Sequence, residues 1–186
     1  MAPPPPRIIA LQGAPSPAIQ QALAGFAARR RASGWRVAGL VEEQVGPPGS
    51  GCTGQGLRDL TSGAVFPIDQ DLGRASTACH LDSSGVAAAC VAVLAAIEAG
   101  CDLVVLSKFG KLEAARGGLI DAFRAAVERD VPVLTAVAPA LAAYWDAFTG
   151  DMAATVPPDA ATLEVWWRAV QPAGTEALPV FGLSRS

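Results

Sequence analysis

The chain has 186 residues and a formal net charge of -3, with 51% hydrophobic residues dispersed in short apolar runs. That length suits one domain with a buried central sheet and is short for a second independent core. The acidic balance, with a pI near 5.1, excludes a general nucleic-acid-binding surface, which needs a basic stripe to neutralise phosphates. The apolar runs are broken by Glu98, Asp102, Lys108 and Pro132 before any could span a bilayer, so no membrane insertion is expected.

Residues 1–6 include four consecutive prolines and read as a disordered leader without the basic and apolar regions of a signal peptide, which implies a cytoplasmic protein. Cys52, Cys79, Cys90 and Cys101 have no C-x-x-C spacing, and Cys90 and Cys101 read as small buried hydrophobes.

Ile8 to Leu11 predicts a buried first strand, followed by a turn at Gln12 to Pro15. Ser16 as N-cap, Pro17 at the first helical position, and Ile19, Leu23 and Phe26 at helical spacing predict a helix. Arg29 to Arg31 belong to its last turn, at the negative end of the dipole, and Gly34 ends it. Trp35 to Val41 predicts a second strand, with Glu42, Glu43 and Gln44 leading into a Gly- and Pro-rich loop, Gly46 to Gly56. Leu57 to Leu60 and Ala64 to Ile68, flanking Thr61-Ser62-Gly63, predict a β-hairpin. Asp69 to Ser84 is polar and irregular, a length that points to a functional loop.

Gly85 to Ala99 is apolar on nearly every face and predicts a helix covered on two sides. Leu103 to Leu106 predicts a strand. Gly118 to Asp130 predicts a helix with Leu119, Ile120, Phe123 and Val127 on its apolar side, and Val131 to Val137 predicts the last strand. Ala138 to Phe148 and Asp159 to Val170 predict helices, and 171–186 a loosely packed tail. The domain expected over 7–170 is thus α/β: three layers, a mainly parallel sheet with helices on both faces, and an added hairpin. Ligands of such sheets sit beyond the carboxyl ends of the strands, here Gln12 to Ser16, Glu42 to Gln44, Ser107 to Glu113 and Ala136 to Pro139.

At the first of these ends a phosphate loop would read G-x-x-x-x-G-K-[ST]. The chain has Gln12-Gly13-Ala14-Pro15-Ser16-Pro17, without the lysine or second glycine, and each proline removes an N–H donor. The phosphate loop is degenerate. Ser107-Lys108-Phe109-Gly110-Lys111-Leu112-Glu113 holds the chain's only two lysines against twelve arginines, and compact ammonium charges at a ligand edge suit an anion. Equally, these lysines could be solvated or pair with Glu113. The candidate ligand-binding residues are Ser107, Lys108, Gly110, Lys111, Glu113, Gln12, Gly13 and Gln44.

Asp71, Cys79 and His80 form a candidate lid or soft ligand set, with Asp69 and Asp82 nearby. With one His in the chain, and adjacent residues rarely aimed at one ion, no metal site is assigned. Trp166-Trp167 and Tyr144-Trp145 suit a core or a subunit interface, which leaves a homodimer open. No G-x-S-x-G elbow or Ser-His-Asp arrangement supports hydrolase chemistry.

Gly34-Trp35-Arg36-Val37-Ala38-Gly39-Leu40, Asp71 to Asp82, Asp102 to Ala114 and Pro132 to Val137 resemble an uncharacterised bacterial family found near molybdate-transport and molybdenum-enzyme genes. More distantly the layout is similar to small P-loop nucleoside-triphosphatases of the cancer-related type, and to the adaptor of molybdopterin-guanine dinucleotide biosynthesis. The Gly-Lys-x-Glu pattern of those triphosphatases is matched by Gly110-Lys111-Leu112-Glu113, but Ser107-Lys108 stands where they have acids. In the uncharacterised family Asn often stands at the position of Ser107. The resemblance implies a P-loop-NTPase-like fold that has lost both the phosphate grip and the Mg²⁺-associated acid.

The expected function is a non-hydrolysing binding protein of molybdenum metabolism. Its small anionic ligand would be molybdate or a molybdopterin- or nucleotide-type molecule, its partner a molybdenum enzyme or transport component. A divergent nucleoside-triphosphatase and a ligand-free interaction module are the alternatives.

Overall fold

The computed structural model describes residues 4–45, 54–70, 80–81 and 83–172. Cys52, Asp71, Cys79, Asp82 and the tail from 173 lie outside them. The elements in chain order are β1 (Ile8–Leu11), α1 (Ser16–Ala32), β2 (Val37–Val45), β3 (Gly54–Asp59), β4 (Val65–Pro67), β5 (Asp69–Gln70), β6 (His80–Leu81), α2 (Ser83–Glu98), β7 (Leu103–Val105), α3 (Lys111–Ala114), α4 (Ile120–Glu128), β8 (Val133–Ala136), α5 (Ala142–Thr149), β9 (Ala153–Val156) and α6 (Ala160–Val170).

Seven strands form one sheet in the order β4-β3-β2-β7-β8-β1-β9. The run from β2 to β9 is parallel, and β3 and β4 add an antiparallel hairpin beside β2. This is the mostly parallel α/β sheet that the alternating apolar runs predict. Successive side chains alternate between faces. Ile8, Ala10, Val104 and Val133 join the core under α2, α4 and Trp145 of α5. Ile9, Leu11, Val105 and Leu134 join the core under α1 and α6, with Phe26, Trp166 and Trp167. Gly39 marks where β2 and β7 meet most tightly: its φ is 129°, and a Cβ built there would stand 1.8 Å from the Val105 carbonyl oxygen.

Several expectations are corrected. Helix α1 starts from Pro15, with no side-chain cap, so Ser16 is its first residue and not its N-cap; the end fits, with Gly34 at φ 86° and Arg29 to Arg31 in the last turn. Glu42, Glu43 and Gln44 continue β2, because β3 pairs with them in antiparallel register from Leu40 to Val45. Helix α2 is covered on one side only: Val86, Ala89, Cys90, Val93 and Ile97 are buried, while Val91 is 67% exposed. Val127 is exposed, and small Ala122, Ala125 and Ala126 join Ile120 and Phe123 on the buried face of α4, which packs beside α2.

Strand β9, absent from the apolar reading because Ala153–Val156 lacks bulky residues, pairs in parallel with β1. The span predicted as one helix from Ala138 begins as a single 3-10 turn, Pro139–Leu141, before α5. The polar segment after Asp69 opens and closes on a short ladder between β5 and β6. Cys90 is buried and Cys101 partly so; burial pushes both thiols up, away from the reactive thiolate. No helix among the described residues is long and apolar enough to cross a membrane.

Candidate functional site

Parallel strands place their carboxyl ends along one edge, and three of these ends, those of β1, β7 and β8, surround a cleft of about 760 Å³. Its polar lining comes from Gln12, Gly13, Ser16, Gln20, Lys108 and Lys111. Its apolar walls come from Ile19, Phe109, Val137 and Leu141.

Hydrogen bonds between neighbouring ends fix the walls. Phe109 donates its backbone N–H to the Ala136 carbonyl at 2.8 Å, and Val137 donates to Leu11 at 3.1 Å. The Gln12 side-chain amide donates to the Val137 carbonyl at 3.3 Å. Across the cleft, the Gln20 amide of α1 donates to the Ser107 carbonyl at 2.8 Å. The turn after β1 is therefore tied to the loop after β8 by Gln12, and α1 to the loop after β7 by Gln20. Phe109 is anchored below by Trp145 at 5.2 Å and Phe148 at 5.6 Å between ring centroids.

The predicted residues separate into walls and supports. Gln12, Gly13, Lys108, Gly110 and Lys111 line the cleft. Lys111 is exposed and has no ion pair or hydrogen bond from its ammonium among the described residues. Lys108 pairs with Glu42 of β2 at 2.7 Å, not with Glu113. Glu42, which the sequence reading left out of the site, thus controls one of the two ammonium groups; its place at the carboxyl end of β2 was the available signal.

Two expected ligand groups are supports. Ser107 is 2% exposed and does not line the cleft. Glu113 is 6% exposed, and its carboxylate accepts from the Gly110 N–H at 2.8 Å and the Leu119 N–H at 2.7 Å. With both oxygens committed, it shapes the lysine loop and starts α3 as the acid of a capping box. Gly110 is the N-cap of α3 in extended conformation, and a Cβ there would meet Glu113 Oε2 at 3.3 Å. Gln44 is exposed on the outer part of β2, opposite Gln55 of β3, and does not line the cleft.

Asp71 and Cys79 fall outside the described residues, and of His80 only the backbone place in β6 is described. Among the described residues no three His, Cys, Asp or Glu side chains gather as a metal site.

Ala18 and Ile19 donate to the Pro15 carbonyl, and Pro15 and Pro17 carry no N–H. Gly13 and Ala14 donate no N–H to the protein among the described residues. The N–H groups of Gly13, Ala14 and Ser16 and the Ser16 hydroxyl therefore stand open at the mouth among the described residues.

Residues 8–166 match the model of a family described as protein of unknown function (DUF2478). The molybdenum import ATP-binding protein ModC 2 of Bradyrhizobium diazoefficiens is 39% identical over 165 residues, covering 88% of this chain and 18% of that protein. The chain therefore spans less than a fifth of this relative's length. No solved structure matches.

Proposed function

The chain belongs to the DUF2478 family, and we propose that it is a binding module of molybdenum metabolism that holds a flat organic anion of the nucleotide or pterin class without hydrolysing it. The observation that carries this reading is the cleft at the strand ends. Its volume of about 760 Å³ is that of a small-molecule site, which typically runs from roughly 300 to 1,000 Å³. Bare molybdate is far smaller and needs a shell of donors around every oxygen. Here most of the wall is apolar, so a ring gains from burial at roughly 25 cal/mol per Å², while Lys111 supplies charge to an anionic tail.

Two departures support binding without turnover. The turn after β1 lacks a lysine and is interrupted by Pro15 and Pro17, and Ser107-Lys108 offers no carboxylate for Mg²⁺ at the end of β7. The setting in molybdenum metabolism is supported by the relative, whose printed name is that of a molybdenum import ATP-binding protein. The similar segment is a small part of that longer chain, which also supports a second reading: a regulatory module that acts beside an import ATPase.

Calorimetry with guanosine nucleotides, carboxypterin and molybdate tests the binding reading. One ring-bearing anion should bind, at least about tenfold more weakly to Lys111→Ala, as expected for a lost charge-assisted hydrogen bond of roughly 1.5–3 kcal/mol. Binding of molybdate alone, unchanged affinity in Lys111→Ala, or sustained phosphate release from ATP or GTP with Mg²⁺ would each overturn it. No binding by any of these together with capture by a molybdate-import ATPase favours the module.

A further inference from the structure

Arg116 holds a backbone conformation that glycine would adopt more readily. Its φ is 63°, and its N–H donates to the Glu113 carbonyl while that of Gly117 donates to Leu112, at 2.9 and 2.8 Å. These two bonds make the left-handed cap that ends α3, where glycine is the usual residue because it has no Cβ to strain. Two glycines follow immediately, yet the left-handed position carries arginine. Asp130, the other non-glycine with positive φ among the described residues (53°), has a local explanation: its carboxylate pairs with Arg7 at 2.8 Å, and its carbonyl accepts from the same guanidinium. Arg116 has no such partner. Among the described residues its side chain makes no ion pair, hydrogen bond or ring contact, and four-residue α3 is too short for a substantial dipole to hold the cation.

The side chain instead lines a cleft of about 460 Å³ between α3, α4 and α5. Arg124 and Tyr144 line it too, and the Phe109–Phe148 pair, stacked at 29° between planes, contributes its apolar lining. Among the described residues Arg124 is engaged only by Asp121 at 3.3 Å, with both side chains more than half exposed; such a pair is worth little and leaves most guanidinium donors free. Tyr144 is 58% exposed, so its ring is open to a ligand in the cleft. The acid that reaches the cleft, Glu113, has both oxygens engaged by the amides of Gly110 and Leu119, which lessens its opposition to an anion.

We propose that this cleft is a second binding site, taking a small aromatic anion: a flat ring against Tyr144 and Phe148, with a phosphate or carboxylate on the guanidinium groups of Arg116 and Arg124. Planar forks match either anionic group through paired N–H donors, and a strained residue with a free functional group is a recurring mark of a ligand clamp. The site shares Phe109 with the strand-end cleft but neither of its lysines, so the two can be tested apart.

The test is an NMR titration of the intact chain with phenyl phosphate, following the arginine side-chain Nε–H resonances. The signals of Arg116 and Arg124 should shift saturably, in the unmodified chain and in Lys111→Ala alike. Inorganic phosphate, lacking the ring, should bind at least about fivefold more weakly. Phenyl phosphate should bind at least about tenfold more weakly to Arg116→Gly, a variant whose backbone the native conformation suits, and Tyr144→Ala should lose the preference for phenyl phosphate over phosphate. An aromatic carboxylate, benzoate, distinguishes the two anionic groups. The absence of a saturable shift with either aromatic anion, equal affinity for inorganic phosphate, or unchanged affinity in Arg116→Gly overturns the proposal.

Discussion

Glu113 occupies the space that a side chain on Gly118 would need: a Cβ built there would stand 2.2 Å from Oε1 of the Glu113 carboxylate, at a φ of 60°. That oxygen accepts the Leu119 N–H, and its partner accepts the Gly110 N–H. One buried carboxylate therefore ties the start of α3, within the lysine loop, to the start of α4. Glu113→Ala should destabilise the fold by about 2–4 kcal/mol, because two amides lose their acceptor. Gly118→Ala should cost on the order of 2 kcal/mol through strain and overlap. The double variant should cost less than the sum, since truncating the carboxylate makes room. Urea denaturation of the three variants checks this.

Lys108 and Glu42 form an ion pair at the mouth of the strand-end cleft. A ligand anion must compete with this carboxylate for the ammonium. Glu42→Gln should therefore tighten binding of the ring-bearing anion, by up to about fivefold, an effect the size of an ion pair whose ammonium is open to solvent. Lys108→Ala should weaken binding more than the double variant Lys108→Ala/Glu42→Gln does, because it leaves the carboxylate unopposed. Calorimetry at low and high salt checks both, and the differences should shrink as salt rises.

Arg116→Gly should raise stability by roughly 0.5–1 kcal/mol, since relief of the left-handed strain outweighs the added freedom of the unfolded chain. Asp130→Gly should gain less, because it also gives up the pair with Arg7. Equal gains in thermal or urea unfolding would show that the Arg7 contact contributes nothing.

Asp102 accepts from the Arg36 guanidinium and from the Arg36 backbone N–H, both at 2.8 Å. The guanidinium hydrogen bond is the first cause that holds its carboxyl below the usual carboxylate range. A depressed pKa in the folded state gives stability that is present above the unfolded pKa, near about 4, and is lost as pH falls through the folded value. Asp102→Asn should therefore cost ~0.5–1 kcal/mol at neutral pH, a modest figure because the Arg36 guanidinium is well exposed to solvent screening. The gap from the unmodified chain should close with acidification below about pH 4. Denaturant midpoints measured from neutral pH downward follow it.

The short apolar runs at Ile8, Trp35, Leu103 and Val131 made the parallel sheet legible, because buried strands must be apolar on both faces. The alternation with helices then located the carboxyl edge, and with it Gln12, Lys108 and Lys111. Comparison with the phosphate-loop motif also exposed what the turn after β1 lacks, since a missing lysine and two prolines act locally. Other features depend on residues far apart in the chain. The parallel pairing with β1 makes a strand of Ala153–Val156, whose own composition gives no strand signal. The extension of β2 through Glu42 to Val45 depends on β3 arriving beside it. Glu113 read as a ligand group until its oxygens met the amides of Gly110 and Leu119, and Lys108, read as an anion-binding group with a pair to Glu113 as one alternative, meets Glu42 because β2 brings that carboxylate beside it. Local pattern specifies which face of an element is buried; which charge meets which donor is decided by the close approach of distant backbone segments, where one buried carboxylate or amide must be satisfied by whatever the packing brings to it.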